Sequence, residues 1–361
     1  MSKLSRLRTF AIRLIAAVNV LVVIALCVTG YAGMVSPERH PSSEMLTLLF
    51  PVPLLINLAF LLLWVFVRRR MIIIPVAGLL ICLPAVRAYC PLNIPGSAPE
   101  GSIKVMSYNI CGFTMDMPDG DMPSKAAKYV VEKNVDIVCF QEFKSFKCDS
   151  LRQRMLSETY PYMDSIQHKR LETIAVYSKY PILWHEAIPI EETNNVCGAF
   201  FLNIDGDTVL VLNCHLESNR LSDRDKHRFE KFVKRKSDHF DDRVITSKLT
   251  RSAAKRARQA QAISKYLKAH ANMSVVLCCD LNDTPISYAH HVLTRHLTDC
   301  HTATADGPGF THKRDGIYVR IDNILCSDDW KPYACEIDTK VECSDHYPII
   351  CSLNKRQMPK K

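Results

Sequence analysis

The chain has 361 residues, 48% of them hydrophobic, and carries 46 Lys/Arg against 37 Asp/Glu for a formal charge of +9. That length allows one large domain or two. The charge suggests a nucleic-acid binder until it is divided: residues 1–99 hold nine Lys/Arg and two Asp/Glu, which excludes a uniformly basic body.

Up to residue 90 the chain is mostly apolar, and residues 14–35, 46–67 and 71–86 are candidate membrane spans. The first two have the roughly 20 apolar residues a bilayer requires, and the third sits near the lower limit. Pro51, Pro53, Pro75 and Pro84 would interrupt soluble helices but are tolerated in membrane helices packed against neighbours. Lys3, Arg6 and Arg8 form the basic head of a signal peptide as well, yet three uncleaved spans are the preferred reading. Basic residues before the first span and at Arg68, Arg69 and Arg70 orient the N-terminus toward the cytoplasm. Three crossings then put the chain after Cys90 outside the cytoplasm. The expected division is a membrane anchor at 1–90, a linker at 91–100 and a catalytic domain at 101–361.

From residue 100 the rhythm is strand, loop, helix. Residues 103–108 form a first strand ending at Asn109, and Ser124 caps a helix running to Lys133. Residues 136–142 are a buried strand whose apolar run stops at Gln141 and Glu142, and residues 173–177 make a third strand. Two further runs, 199–204 and 208–214, flank Asp205-Gly206 as a hairpin and lead into His215. Residues 220–270 contain sixteen basic and six acidic residues. Within them Ala253, Ala257, Ala260, Ile263 and Leu267 recur at helical spacing, so 252–268 is an amphipathic helix. Such an arm suits a phosphate backbone or an anionic lipid surface as well as a solvated helical insertion.

The run 275–279 reads as a buried strand that breaks into Asp280-Leu281-Asn282-Asp283-Thr284-Pro285. A short helix is expected over 286–297, a strand over 317–326 that contains Arg320-Ile321-Asp322, and a strand over 349–353 preceded by Ser344-Asp345-His346. Of the fifteen cysteines, thirteen lie from residue 90 onward, and no C-x-x-C occurs. A structural zinc site of the common kind is therefore not expected. The pattern predicts an α/β body of two packed sheets with helices outside.

Asn109, Glu142, His215, Asp280, Asn282, Asp322, Asp345 and His346 all stand where an apolar run breaks. Packing alone does not explain so many acidic, amide and imidazole groups at strand ends. The chain lacks a nucleophile elbow, a phosphate loop and a dinucleotide fingerprint. An oxygen-rich donor set suits a hard cation such as Mg²⁺, and two histidines can divide the proton work of hydrolysis.

The runs Met106-Ser107-Tyr108-Asn109, Phe140-Gln141-Glu142, Asn213-Cys214-His215-Leu216, Cys279-Asp280-Leu281-Asn282, Arg320-Ile321-Asp322 and Ser344-Asp345-His346 resemble the endonuclease/exonuclease/phosphatase superfamily, in the family's order. Cys279 stands where the family usually has Gly, and Thr173 where a Gly often precedes the strand. The resemblance implies a four-layer α/β sandwich and Mg²⁺, or Mn²⁺ in its place. It implies Glu142 as the principal metal ligand with Asn109 and Asp345 close by. It further implies that His346, oriented by Asp322, activates water, that Asp280 and Asn282 orient that water and hold phosphate oxygens, and that His215 serves the leaving oxygen.

Within that superfamily, His215-Leu216-Glu217-Ser218 replaces the Tyr-x-Pro-Asn turn of apurinic-site endonucleases. Arg320-Ile321-Asp322-Asn323 likewise lacks the Cys-Asp-Arg of inositol polyphosphate 5-phosphatases. The His-Leu form is shared by DNase-like nucleases and sphingomyelinase-like phosphodiesterases. A membrane-tethered nuclease is the first expectation, acting on nucleic acid beside the lipid bilayer. A phosphodiesterase or phosphatase of lipid head groups or small phosphoesters is the alternative, and a non-catalytic membrane interaction protein the last.

Overall fold

A strand buried on both faces needs apolar side chains at every position, whereas an edge strand needs them on one face or neither. The computed structural model describes residues 3–94, 96–115, 124–144, 150–168, 172–190, 193–219, 242–313 and 319–356. Its strands in chain order are β1 (Ile103–Asn109), β2 (Ile137–Gln141), β3 (Tyr162–His168), β4 (Glu172–Ser178), β5 (Ile182–Ala187), β6 (Cys197–Ile204), β7 (Asp207–His215), β8 (Ser274–Asp280), β9 (Thr298–Asp299), β10 (Asp322–Cys326), β11 (Trp330–Ile337) and β12 (Ile349–Lys355). They form two six-stranded mixed sheets, ordered β11-β12-β1-β2-β4-β3 and β5-β6-β7-β8-β10-β9.

The helices are α1 (Lys3–Tyr31), α2 (Ser43–Leu48), α3 (Pro51–Val67), α4 (Ile73–Ile81), α5 (Leu83–Tyr89), α6 (Lys125–Lys133), α7 (Ser150–Thr159), α8 (Asp242–Ala269), α9 (Tyr288–Leu293) and α10 (Cys300–Thr304). Alternate residues of the central strands divide between layers. Val105, Ile137, Cys139, Val211, Val276 and Cys278 meet between the sheets. Met106, Val138 and Phe140 pack outward with Ala126, Ala127 and Val130 of α6. Leu210, Leu212, Leu277 and Cys279 pack outward with Ala260, Ile263 and Leu267 of α8. The result is two sheets flanked by helices, with one layer on each outer face.

Local signals act as expected at several ends. Ser124 caps α6 by accepting from Ala127 N at 3.1 Å. Asp205 and Gly206, at φ 52° and 94°, turn β6 into β7. The strand expected over 317–326 starts at Asp322, residues 317 and 318 lying outside the described residues. Residues 220–241 of the basic segment also lie outside them, and the amphipathic helix expected at 252–268 is longer, reaching back to Asp242.

In the N-terminal part, two helical stretches, 6–34 and 43–67, are long and apolar enough to cross a membrane. The third expected span is a pair of helices, 69–81 and 83–89, bent by 67°. Pro84 explains the break: it opens the second helix of the pair and has no N–H to continue the ladder across Cys82. Buried amides tie these helices together. Trp64 Nε1 donates to Asn19 Oδ1 at 2.9 Å, and Asn57 Nδ2 donates to the Pro75 carbonyl at 3.0 Å.

Candidate active site

Register delivers the polar groups to one place. In the parallel pair β1/β2, Asn109 lies opposite Gln141, and in the parallel pair β7/β8, His215 lies opposite Asp280. The antiparallel pair β8/β10 adds Asp322 opposite Asp280. Below this rim a buried amide pair joins the sheets: Gln141 Nε2 donates to Asn213 Oδ1 at 2.8 Å, and Asn213 Nδ2 donates to the Phe140 and Ala175 carbonyls at 3.0 Å. These buried hydrogen bonds between the sheets fix the relative height of the two strand sets, with Gln141 Oε1 left without a partner.

Asp280, fully buried, is the hub. Its Oδ2 accepts from Asn109 Nδ2 at 2.9 Å, and its Oδ1 accepts from Asn282 N at 2.8 Å. The Nε2 atoms of His215 and His346 lie 3.6 and 3.8 Å from that same Oδ2. His346 Nδ1 is 2.9 Å from Asp322 Oδ2. His215 Nδ1 is 3.2 Å from Glu172 Oε1, and its Nε2 is 3.0 Å from Asn282 Nδ2. Asn282 Nδ2 also donates to the Leu216 carbonyl at 3.0 Å, which fixes the direction of its amide.

The remaining expected residues lie beside this hub. Glu142 directly follows β2, with φ at 51°, and its Oε1 is 3.2 Å from Asn109 Nδ2 and 3.9 Å from His215 Nε2. A non-glycine residue at positive φ is held there by its surroundings, as happens at binding sites. Asp345 clusters with His346 and His312, whose rings meet edge to face at 5.0 Å. The structure thus brings together all eight residues singled out from the sequence.

Three groups escaped the sequence reading. His312 packs against His346. Glu172, the first residue of β4, faces His215, and the only clue in the sequence was a carboxylate beside the Thr173–Tyr177 run. Thr311 is fully buried, and its Oγ1 accepts the backbone N–H groups of Ile321 and Asp322 at 2.9 and 3.0 Å. It seats Asp322 at the start of β10.

Electrostatics mark the cluster as overloaded with negative charge. Burial opposes charge on both histidines. Asp322 and Asp280 outweigh it at His346 and raise the ring to about 10. Glu172, Asp280 and Glu142 do the same at His215, also to about 10. Burial would raise Asp280, yet the two histidines and the Asn109 and Asn282 N–H groups hold it low. The Cys111 thiol, pushed up by burial, also feels Asp345 and Glu142 and so lies close to both carboxylates.

Five carboxyl groups, Glu142, Glu172, Asp280, Asp322 and Asp345, outnumber the imidazoles of His215, His312 and His346. Protonating every ring leaves the cluster anionic. Sets of three donors from these residues lie within 4.8 Å of one another. An oxygen-dominated, anionic set without a thiolate matches the preferences of a hard divalent cation.

Residues 106–346 match the model of the endonuclease/exonuclease/phosphatase family. The chain belongs to that family. It is accordingly a metal-dependent hydrolase of phosphoester bonds. Residues 12–89 match a separate domain of unknown function. No curated protein matches the chain in sequence. Among solved structures, the catalytic domain of human nocturnin is 15% identical with a TM-score of 0.50, covering 71% of this chain and 94% of its own. A humanized D. rerio TDP2 is 14% identical with a TM-score of 0.50, covering 70% and 99% respectively. At such identities the likeness of this family member to both is one of fold.

Proposed function

We propose that this family member is a Mg²⁺-dependent phosphodiesterase working at a membrane surface, with residues 1–90 as anchor, 91–100 as linker and 101–361 as catalytic domain. The basic residues around the first helix and at Arg68, Arg69 and Arg70 support a cytoplasmic N-terminus and an extracytoplasmic catalytic domain. The observation that carries the activity is the pair of buried histidines, each against its own carboxylate and both within 4 Å of one Asp280 oxygen.

Hydrolysis of a phosphodiester requires a base for the attacking water and an acid for the leaving oxygen. His346 donates Nδ1–H to Asp322 and, in its neutral form, offers Nε2 to the water; the carboxylates that raise the ring are those a bound cation would neutralise. As Nε2 gains the proton, Asp322 stabilises the imidazolium, by the same attraction that raises this ring. His215 Nε2, which accepts from Asn282 while the ring is neutral, delivers a proton to the leaving oxygen once the ring is charged, the state that Glu172, Asp280 and Glu142 favour. Asp280 and Asn282 orient the water and hold phosphate oxygens. Glu142, Asn109 and Asp345 would hold the metal. Mg²⁺ held there would offset charge developing on the phosphoryl oxygens.

The substrate reading favours a phosphodiester borne by the membrane, such as a lipid head group. Within α8, Lys255, Arg256 and Arg258 lie 3.4, 2.7 and 3.5 Å from Glu217, Asp283 and Glu38. These three pairings turn part of the positive charge of α8 toward the chain's own carboxylates. Ile286, close behind Asn282, packs against Leu26, Phe50, Leu54, Cys82 and Ala85 of the N-terminal helices. The nuclease expected from the sequence is the second reading, supported by the sixteen basic residues between 220 and 270.

The deciding experiment gives the full chain in detergent, with Mg²⁺ or EDTA, plasmid DNA, RNA, sphingomyelin and bis-p-nitrophenyl phosphate in parallel. His346→Ala is the control. Lipid or small-diester hydrolysis lost with EDTA and in the variant supports the first reading. Nucleic-acid cleavage that falls steeply with salt supports the second. Silence toward every substrate defeats both.

A further inference from the structure

The N-terminal part touches the loop behind Asp280 with more than apolar side chains. Gly33 lies so close to Ile286 that an added Cβ would stand 1.9 Å from the Ile286 carbonyl oxygen. Nearby, α2 carries Glu44, which is only 4% exposed. Its carboxyl group lies beside the Asp283 carboxyl, with Arg256 and the Tyr288 backbone close by. Thr47 Oγ1 approaches its Oε1 at 3.3 Å.

Asp283 passes the contact inward. Its Oδ2 accepts from Arg256 Nε at 2.7 Å, and its Oδ1 accepts from Thr284 N at 2.9 Å. Arg256, itself buried, donates through Nη1 to the Glu217 carbonyl at 3.1 Å and to Asn219 Oδ1 at 2.8 Å. One guanidinium therefore fastens the loop that follows His215 to the loop that follows Asp280. Asn282, next to Asp283, bonds both His215 and the Leu216 carbonyl. Glu44 closes this set from a different part of the chain.

We infer that Glu44 is a positioning residue of the phosphoester site: it fixes the Asn282 loop through Asp283 and the His215 loop through Arg256, so that hydrolysis requires the N-terminal segment as well as the sandwich. The inference rests on the hydrolytic roles proposed above for His215 and Asn282. A loop held from two sides keeps reacting groups in line, and small displacements cost rate rather than binding. Glu44 touches no substrate, so its loss acts through Asp283.

The test uses the full chain in detergent and two variants, Glu44→Ala and Glu44→Gln. Glutamine keeps the volume, a donor for Asp283 and an acceptor for Tyr288. With bis-p-nitrophenyl phosphate and Mg²⁺, Glu44→Ala lowers kcat by about ten- to a hundredfold with KM within about threefold, and Glu44→Gln recovers most of kcat. Amide hydrogen exchange over residues 216–219 and 281–288 rises in the alanine variant alone. Unchanged kcat in Glu44→Ala, or a glutamine variant as impaired as the alanine one, overturns the inference. If the unsubstituted chain hydrolyses no phosphoester, the hydrolytic reading fails by itself and hydrogen exchange still decides the clamp. Faster exchange confined to these loops in Glu44→Ala upholds it, and equal exchange in all three proteins overturns it.

Discussion

His346 Nδ1 lies 2.9 Å from Asp322 Oδ2, and both side chains are buried at the rim where β10 begins. The carboxylate holds a proton on Nδ1, which in the proposed mechanism leaves Nε2 toward the water. Asp322→Asn keeps the volume but reverses that preference. The expected outcome is a fall in kcat of about 10²- to 10⁴-fold with little change in KM. Steady-state kinetics on bis-p-nitrophenyl phosphate measure it, and a kcat within a few-fold of the unsubstituted protein would remove His346 as the base.

Glu172 faces His215 with Oε1 3.2 Å from Nδ1, a close charge contact where Asp322 makes a hydrogen bond to His346. If His215 protonates the leaving oxygen, the cost of Glu172→Gln depends on how much that oxygen requires a proton. A nitrophenolate leaves without much help and an alkoxide does not. The variant is therefore expected to lose markedly more kcat on an alkyl phosphodiester than on bis-p-nitrophenyl phosphate. An equal loss on both substrates argues that Glu172 serves packing or the metal.

The difference between Asp322 and Glu172 shows what the sequence could reveal. Asp322 follows a loop and begins a fully buried apolar strand, so its polarity stands out. The central strands β1, β2, β7 and β8 are legible for the same reason: nearly every position is buried, and the run stops where the site begins. Glu172 belongs to a strand whose first residues are only half-buried, and its relation to His215 exists only once the sheets pack.

Edge strands were invisible for a related reason. Most residues of β3 and β5 are exposed or half-buried, and their apolar residues, Ile182-Leu183-Trp184 in β5 for instance, follow no in-and-out alternation, so partner strands define them. Glu44 did have a signal, a lone carboxylate beside an apolar stretch, but its partner Asp283 is distant in the chain. The bend in the third apolar segment follows from Pro84, which a membrane helix is permitted but a straight one is not.

Arg320 belongs to a motif singled out for chemistry, yet its guanidinium is sealed inside the fold. Nη2 donates to Asp299 Oδ2 at 2.8 Å, and His290 Nε2 lies 2.9 Å from the same oxygen. Burial would raise the Asp299 carboxyl, but Arg320, His290 and Thr302 hold it well below the usual carboxylate range. Asp299→Asn leaves a buried arginine uncompensated, with an expected cost of about 3–5 kcal/mol in denaturant unfolding. Because the folded carboxyl titrates below its unfolded value, its contribution is complete above about pH 4 and disappears only in stronger acid. The gap between the two proteins is expected to stay constant from neutral pH down to that point and then to narrow.

Glu142 tests the metal without relying on turnover. The site holds more carboxylates than imidazoles, so Glu142→Gln removes one charge from a mutually repelling group. In EDTA the variant is expected to melt at the same temperature as the unsubstituted chain or slightly higher. With Mg²⁺ the order reverses, because a cation that binds only the folded state raises the melting temperature according to its affinity. The unsubstituted chain gains with increasing Mg²⁺, while the variant requires at least about tenfold more for the same gain. Equal responses of the two proteins to Mg²⁺ would place the cation away from Glu142, and the five carboxylates would then need another counter-charge.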